Sequence, residues 1–110
     1  DKTYPWICIK KEPFSRIFST RRIINDGSEY FGPYASVKMM NTLLDLIRQL
    51  YPLRTCNYKL SKKNIEAGKF KVCLEYHIGK CLAPCVGKQT IENYEKDILE
   101  FRMIIKGNIR

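Results

Sequence analysis

A closely spaced group of cysteines constrains this chain more than any other feature of its sequence. Of five cysteines, Cys56, Cys73, Cys81 and Cys85 follow one another with sixteen, seven and three intervening residues. Four thiols is the ligand count of a tetrahedral zinc site and of a cubane iron–sulfur cluster. No secretory signal is visible in the sequence, so we expect a reducing compartment, in which clustered cysteines hold metal more often than they form disulfides. The spacing therefore predicts a fold closed by one metal–thiolate centre.

The residues alone leave the kind of metal open. Only the last two cysteines match the short spacing of a zinc knuckle, and the first two do not form a second one, which mildly favours an iron–sulfur cluster. His77 lies four residues from two of the cysteines, so a Cys₃His zinc site remains an alternative. A cysteine nucleophile with a histidine base is disfavoured, because one catalytic thiol does not explain four. Cys8 is interpreted as a buried apolar residue of a strand.

The charge of the chain points to an anionic partner. Twenty Lys and Arg oppose eleven Asp and Glu among 110 residues, giving a net charge of +9. Such a charge on a small domain favours polyanions, because phosphate contacts release counterions. The candidate phosphate contacts are Arg16, Arg21, Arg22, Lys62 and Lys63. No apolar stretch is long enough to span a membrane, and the absence of an initiator Met suggests a piece of a longer protein.

The hydrophobic pattern predicts a single α+β module over residues 1–110. Residues 1–35 carry strand-like runs around Asp26 and Gly27, which predicts a small antiparallel meander or hairpin. Residues 36–52 show helical spacing opened by Ser36 as N-cap and closed by Pro52. Residues 53–87 are predicted to be a basic loop with the cysteine group. Residues 88–107 are predicted to form an amphipathic helix, with a buried stripe that includes Tyr94.

Three separated motifs then resemble one known family. They are "YFGPY" from Tyr30 to Tyr34, "LYPLRTC" from Leu50 to Cys56, and "CLEYHIGKCLAPCVG" from Cys73 to Gly87. In this order they resemble UvrC, the nuclease subunit family of bacterial nucleotide excision repair. The opening "DKTYPWICI" and the "TRR" that starts at Thr20 resemble the same family, so the likeness covers essentially the whole chain.

The resemblance implies a specific place and role for the segment. It places the chain between a GIY-YIG nuclease domain and a region that binds UvrB, with neither catalytic centre in the segment itself. It implies that Cys56, Cys73, Cys81 and Cys85 ligate a [4Fe–4S] cluster, which aerobic preparation can remove, and it does not make His77 a ligand. The expected role is a non-catalytic module that orients the nuclease on damaged DNA in the bacterial cytoplasm. A zinc-stapled module that docks neighbouring repair domains is the alternative.

Overall fold

The architecture comes from a computed structural model that describes residues 4–108. In that part of the chain the elements run in the order β1 (Trp6–Ile9), β2 (Ile17–Thr20), β3 (Glu29–Phe31), α1 (Val37–Leu50), α2 (Lys62–Glu66), α3 (Leu74–His77), a 3₁₀ turn (Pro84–Val86) and α4 (Ile91–Asn108). The antiparallel sheet and the helices confirm the predicted α+β class. Between residues 4 and 108, none of the helices combines the length and apolar character needed to cross a bilayer.

The sheet has the strand order β2-β1-β3, and both outer strands are antiparallel to β1. Ile7 faces Ser19 on one side and Phe31 on the other. β1 takes the centre because its β-branched side chains are buried there, with Ile7 fully buried and Ile9 nearly so. Burying one such side chain contributes about 1.5–3 kcal/mol to folding.

The predicted turn at Asp26 and Gly27 does not join two paired strands, and this part of the prediction is wrong. β2 and β3 lie on opposite sides of β1, so residues 21–28 cross from one edge of the sheet to the other. Asp26 anchors this crossing because its carboxylate accepts from Lys10 Nζ at 2.6 Å and from the Ser28 amide at 3.0 Å. Gly27, at φ +87°, supplies the left-handed turn between them. The sequence pattern identified the turn, but it did not show that β1 lies between β2 and β3, the two strands that the turn connects.

The two long helices lie where the sequence predicts them, but Leu50, which helical spacing placed on the buried stripe of α1, is 58% exposed. Ser36 caps α1, since its Oγ accepts from the Met39 amide at 3.1 Å, and the helix ends before Pro52. The stripe of α1 that is buried consists of Met40, Leu44 and Ile47, and that of α4 consists of Tyr94, Ile98, Phe101 and Ile105. Both stripes join Ile7, Ile9 and Phe31 of the sheet in one apolar core.

Residues 53–87 are more ordered than the predicted basic loop. They contain α2, α3 and the 3₁₀ turn, each too short to show a helical period in the sequence. Ser61 caps α2 by accepting from the Asn64 amide at 3.2 Å. Leu60, 1% exposed, fixes the start of this segment to the core. The four cysteines thus lie in or beside short elements and irregular stretches, and buried residues such as Leu60 attach this region to the core.

Candidate metal centre

The four cysteines of the predicted centre lie on three separate stretches of backbone. Cys56 follows α1 by six residues, Cys73 directly precedes α3, and Cys81 and Cys85 lie on either side of the start of the 3₁₀ turn. Cys81 is buried, Cys56 and Cys85 are half-buried, and Cys73 is exposed. All four are free thiols. Bringing them together therefore depends on how the connecting turns are shaped.

A single helical turn reverses the chain between the second and third cysteines. The Cys73 carbonyl accepts from the Tyr76 amide at 3.1 Å, which starts α3. Gly79, at φ +78°, ends it, and the Lys80 amide donates back to the Glu75 carbonyl at 2.8 Å. A left-handed glycine with such a back-bond is a common way to close a helix. It directs the chain into Cys81 immediately afterwards.

A second tight turn holds the last cysteine. Ala83 is fully buried and adopts φ +54°, a left-handed conformation that costs a non-glycine residue about 1–2 kcal/mol. Its carbonyl accepts from the Val86 amide at 3.3 Å and from the Lys88 amide at 3.2 Å. Pro84 begins the 3₁₀ turn with its fixed φ. Cys85 is therefore presented from a closed loop rather than from a flexible linker.

The pKa values of Cys81 and Cys85 respond to the charges of the other cysteines of the group. Burial raises the pKa of Cys85 first, and the negative charges of Cys56, Cys81 and Cys73 raise it further. Burial likewise raises the pKa of Cys81, with additional contributions from the charges of Cys56 and Cys73. Neighbouring like charges resist joint ionisation unless a cation compensates for them. A metal ion or cluster is the usual compensation when four thiolates share one site.

Proximity is not yet coordination in this structure. Across residues 4–108, no three His, Cys, Asp or Glu side chains converge closely enough to form a group that could hold a metal ion. The donor set nevertheless fits an iron–sulfur cluster or zinc in number and in chemistry, because it consists of four free cysteine thiols. The fit therefore lies in the number and chemistry of the donors, and ligation would require the sulfurs to lie closer together than they do here.

Arg54 holds the first cysteine in place and was not predicted from the sequence. Its side chain is 1% exposed. Nη1 donates to the Cys56 carbonyl at 2.9 Å and to Cys56 Sγ at 3.7 Å. Nη1 also donates to the Tyr58 carbonyl at 2.8 Å. Nε donates to the Phe14 carbonyl at 2.6 Å, and Nη2 donates to the Pro13 carbonyl at 3.2 Å and contacts Glu12 Oε2 at 3.2 Å. A buried guanidinium is stable only when its donors are satisfied in this way.

Tyr94 of α4 completes the support of the Cys56 segment. Its hydroxyl donates to the Ser15 carbonyl at 2.8 Å and accepts from the Arg54 amide at 3.2 Å. Tyr94 was predicted only as part of an apolar stripe, and its bonds to residues 15 and 54 have no signature in the local pattern. A sequence signal for Arg54 does exist, since it is a lone charge after the apolar run Leu50–Leu53 and two residues before Cys56.

His77 and Cys8 lie outside this arrangement. His77 is exposed on α3, and its ring meets that of Tyr76 edge-on, with centroids 5.5 Å apart. Cys8 is buried in β1 opposite Tyr30, and burial raises the pKa of its thiol. Its position in the centre of the sheet agrees with the interpretation of Cys8 as a small apolar residue.

The predicted phosphate contacts fall on two regions. Arg21 and Arg22 are exposed after β2, and Lys62 and Lys63 are exposed in the first turn of α2. Arg16 differs from them, because Nε contacts Glu12 Oε2 at 2.6 Å. Its guanidinium also lies 5.7 Å from the centroid of the Phe18 ring. A phosphate would have to compete with these contacts for Arg16.

The sequence of this chain matches one protein family and several proteins of known name. The family model described as "UvrC/Cho excinuclease, middle domain" matches residues 4–104. UvrABC system protein C of Flavobacterium johnsoniae is 66% identical over 110 residues, which is 100% of this chain and 18% of that protein. The same-named protein of Flavobacterium psychrophilum is 64% identical over 110 residues, again 100% and 18%. That of Bacteroides thetaiotaomicron is 62% identical over 108 residues, 98% of this chain and 18% of that protein. The chain thus spans 18% of the length of these relatives, and no solved structure matches it significantly.

Proposed function

The chain belongs to the UvrC/Cho excinuclease family as its middle domain, and on this premise we propose that it is a non-catalytic, metal-stapled module of nucleotide excision repair. It acts within a longer protein, where it orients the nuclease parts on damaged DNA and adds phosphate contacts. UvrB is its partner through an adjacent region of that protein, and its compartment is the bacterial cytoplasm. The observation that carries the proposal is the match of the middle-domain family model to residues 4–104, a stretch that contains all four free thiols.

Cys56, Cys73, Cys81 and Cys85 are the proposed ligands of a [4Fe–4S] cluster, with zinc as the alternative. When bound, the group supplies a cross-link among the three stretches of backbone that carry these thiols. The chain's own residues prepare this cross-link, since Arg54 holds the Cys56 segment and the turn at Ala83 presents Cys85. Structural metal binding contributes on the order of 10 kcal/mol to the folding of small domains.

The metal proposal is tested on anaerobically purified protein by iron, sulfide and zinc analysis with an absorbance spectrum. Four thiolates on a [4Fe–4S] cluster predict a broad band near about 400 nm. Cys81→Ala is expected to lose the metal and lower the melting temperature. Cys8→Ala is the matched control, because it removes another buried thiol from outside the ligand set. Equal metal content in the two variants, or an unchanged melting temperature in Cys81→Ala, contradicts the proposal.

DNA contacts are proposed at Arg16, Arg21, Arg22, Lys62 and Lys63. If they neutralise phosphates, the affinity for DNA falls steeply as salt rises. Replacing both lysines by Gln is expected to reduce the slope of log affinity against log salt by about two, one per phosphate contact. An unchanged slope removes these lysines from the contact set.

A docking module is the second candidate, and exposed apolar side chains favour it. Leu99 and Met103 are 53% and 68% exposed, one helical turn apart on α4. Leu46 and Leu50 are 52% and 58% exposed on α1. Apolar docking to a neighbouring repair domain depends little on salt, so the salt series that tests DNA binding also separates the two functions.

A further inference from the structure

An aromatic pair lies on the surface of the lysine-rich segment between the first two cysteines of the centre. The rings of Tyr58 and Phe70 are stacked, with centroids 4.9 Å apart and planes 22° from parallel. Phe70 is half-buried and packs against the apolar core. Tyr58 rests on it and remains 49% exposed. One face of the Tyr58 ring is thus covered by Phe70, and much of the remaining ring surface is open to solvent.

The backbone around this pair is tied down on both sides. The Tyr58 carbonyl accepts from buried Arg54 Nη1 at 2.8 Å. The Lys59 carbonyl accepts from Asn64 Nδ2 at 2.9 Å, and the Lys69 amide donates to the Asn64 carbonyl at 3.4 Å. Asn64 therefore joins the two arms that carry the rings. A ring held in this way has little conformational freedom left to lose on binding.

The charge around the pair is strongly positive. Residues 56–72 carry five lysines and one acidic residue, Glu66. The lysines are all exposed, and none of the ion pairs found within residues 4–108 engages them: Lys59, Lys62, Lys63, Lys69 and Lys71. Unpaired ammonium groups beside a flat apolar ring suit a ligand that presents both negative charge and a planar face.

We propose that Tyr58 is a stacking platform for an unpaired base of single-stranded nucleic acid, with the neighbouring lysines neutralising the flanking phosphates. The inference rests on the proposed DNA-contacting function and specifies the kind of DNA. An acidic protein surface satisfies the lysines, but it does not pair a planar face with every charge, whereas each nucleotide carries both a phosphate and a base with a π-face. A duplex hides the faces of its bases inside the helix, whereas a single strand exposes them to aromatic side chains. Phe70 supports the platform from beneath.

The test uses the whole 110-residue chain and two fluorescein-labelled oligomers of about twelve nucleotides, a length within the range of single-strand binding sites. One is oligothymidylate and the other is abasic, so the two have the same phosphates and differ in bases. Fluorescence anisotropy measures both affinities at equal salt. The wild-type chain is expected to prefer the thymidylate strand by about tenfold, the order expected for one stacked base.

Three variants separate stacking from charge. Tyr58→Leu is expected to lose the preference for the thymidylate strand. It should bind the abasic strand as before, because the neighbouring lysines and the hydrogen bond from Arg54 to the backbone of residue 58 remain. Tyr58→Trp is expected to retain the preference. Tyr4→Leu is the matched control, since Tyr4 is 57% exposed on a different part of the chain, and it should leave the preference unchanged. Circular dichroism verifies that each variant is folded.

Each other outcome overturns a defined part of the proposal. If the wild-type chain binds both strands equally in a salt-dependent manner, the DNA-contacting function stands and the stacking platform is wrong. The platform is also wrong if Tyr58→Leu weakens both strands equally, or if an unlabelled duplex competes as well as the single strand. If neither strand binds, both the platform and the DNA-contacting function are wrong.

Discussion

Replacing Tyr94 by Phe tests whether one buried hydroxyl supports the segment that carries the first cysteine. The Tyr94 side chain is fully buried, and its hydroxyl joins the Ser15 carbonyl and the Arg54 amide to α4. The substitution keeps the ring, which packs edge-on against Phe14 with centroids 5.3 Å apart. It therefore removes two hydrogen bonds and little of the packing.

The expected cost follows from the groups left behind. Ser15 and Arg54 are 9% and 2% exposed, so water cannot easily replace the lost hydroxyl. An unsatisfied buried donor or acceptor costs about 1–3 kcal/mol, which gives about 2–6 kcal/mol for the pair. For a domain of this size, a loss of about 3 kcal/mol lowers the melting temperature by roughly 10–25 °C.

Urea denaturation of the wild-type chain, Tyr94→Phe and Tyr51→Phe measures this cost. Tyr51 is the matched control, because its hydroxyl donates to Glu100 Oε1 at 2.9 Å in a solvent-exposed contact. Surface substitutions of this kind change stability by about 0.5 kcal/mol or less. Equal losses in the two variants would show that burial of the hydroxyl does not govern its contribution.

The same hydroxyl has a signature in the pH dependence of stability. Burial raises the pKa of Tyr94 well above its ordinary value of about 10, although the hydrogen bond and charge of Arg54 oppose the shift. Because the folded value lies above the unfolded one, the contribution is fully present below about pH 10 and is lost as pH rises towards the folded value. We expect the free energy of unfolding of Tyr94→Phe to fall less steeply above pH 10 than that of the wild type.

Three further substitutions test other parts of the structure. Arg54→Lys keeps the positive charge but loses the planar guanidinium, so we expect the free energy of unfolding to fall by about 3 kcal/mol. We also expect the reconstituted protein to release its metal faster. Metal release at the wild-type rate would contradict the role given to Arg54. Gly32→Ala places a Cβ 3.2 Å from the Tyr34 amide nitrogen at φ +137°, and we expect a cost of about 1–3 kcal/mol in the same denaturation assay. Ser36→Ala removes the cap of α1 and should cost about 1 kcal/mol, with a change below about 0.3 kcal/mol counting against the cap.

Local patterns in the sequence were sufficient for the elements that depend on local physics. The spacing of Met40, Leu44 and Ile47 predicts α1 because a helix repeats its buried face every three to four residues. The strand order was not predictable in this way. Asp26 and Gly27 specify a turn, but nothing near them reveals that β1, some twenty residues earlier, lies between the strands that they connect.

In the candidate centre, too, residues marked by a local pattern were predictable and residues with distant contacts were not. The four cysteines were found because their residue type and spacing carry chemistry by themselves. Arg54 was missed because it bonds the carbonyls of Pro13 and Phe14, about forty residues away in sequence. Carbonyl acceptors belong to every residue, so they leave no trace in side-chain composition. The position of Arg54 after the apolar run Leu50–Leu53 marks it in the sequence, but that position does not reveal its distant main-chain partners.

Arg54 also connects the proposed centre to the proposed platform. Its Nη1 donates to the carbonyls of both Cys56 and Tyr58, so these two residues share one buried anchor. On the far side of the segment, Cys73 is exposed, and its carbonyl accepts from the Tyr76 and His77 amides at the start of α3. The lysine-rich segment is thus held by Arg54 at its Cys56 end and by Phe70, which packs against the core, nearer its other end. Metal ligation by Cys73 would fix the exposed residues that follow Phe70. On this reasoning, a protein that has lost its metal keeps the Tyr58 end of the segment ordered and gains freedom mainly near Cys73.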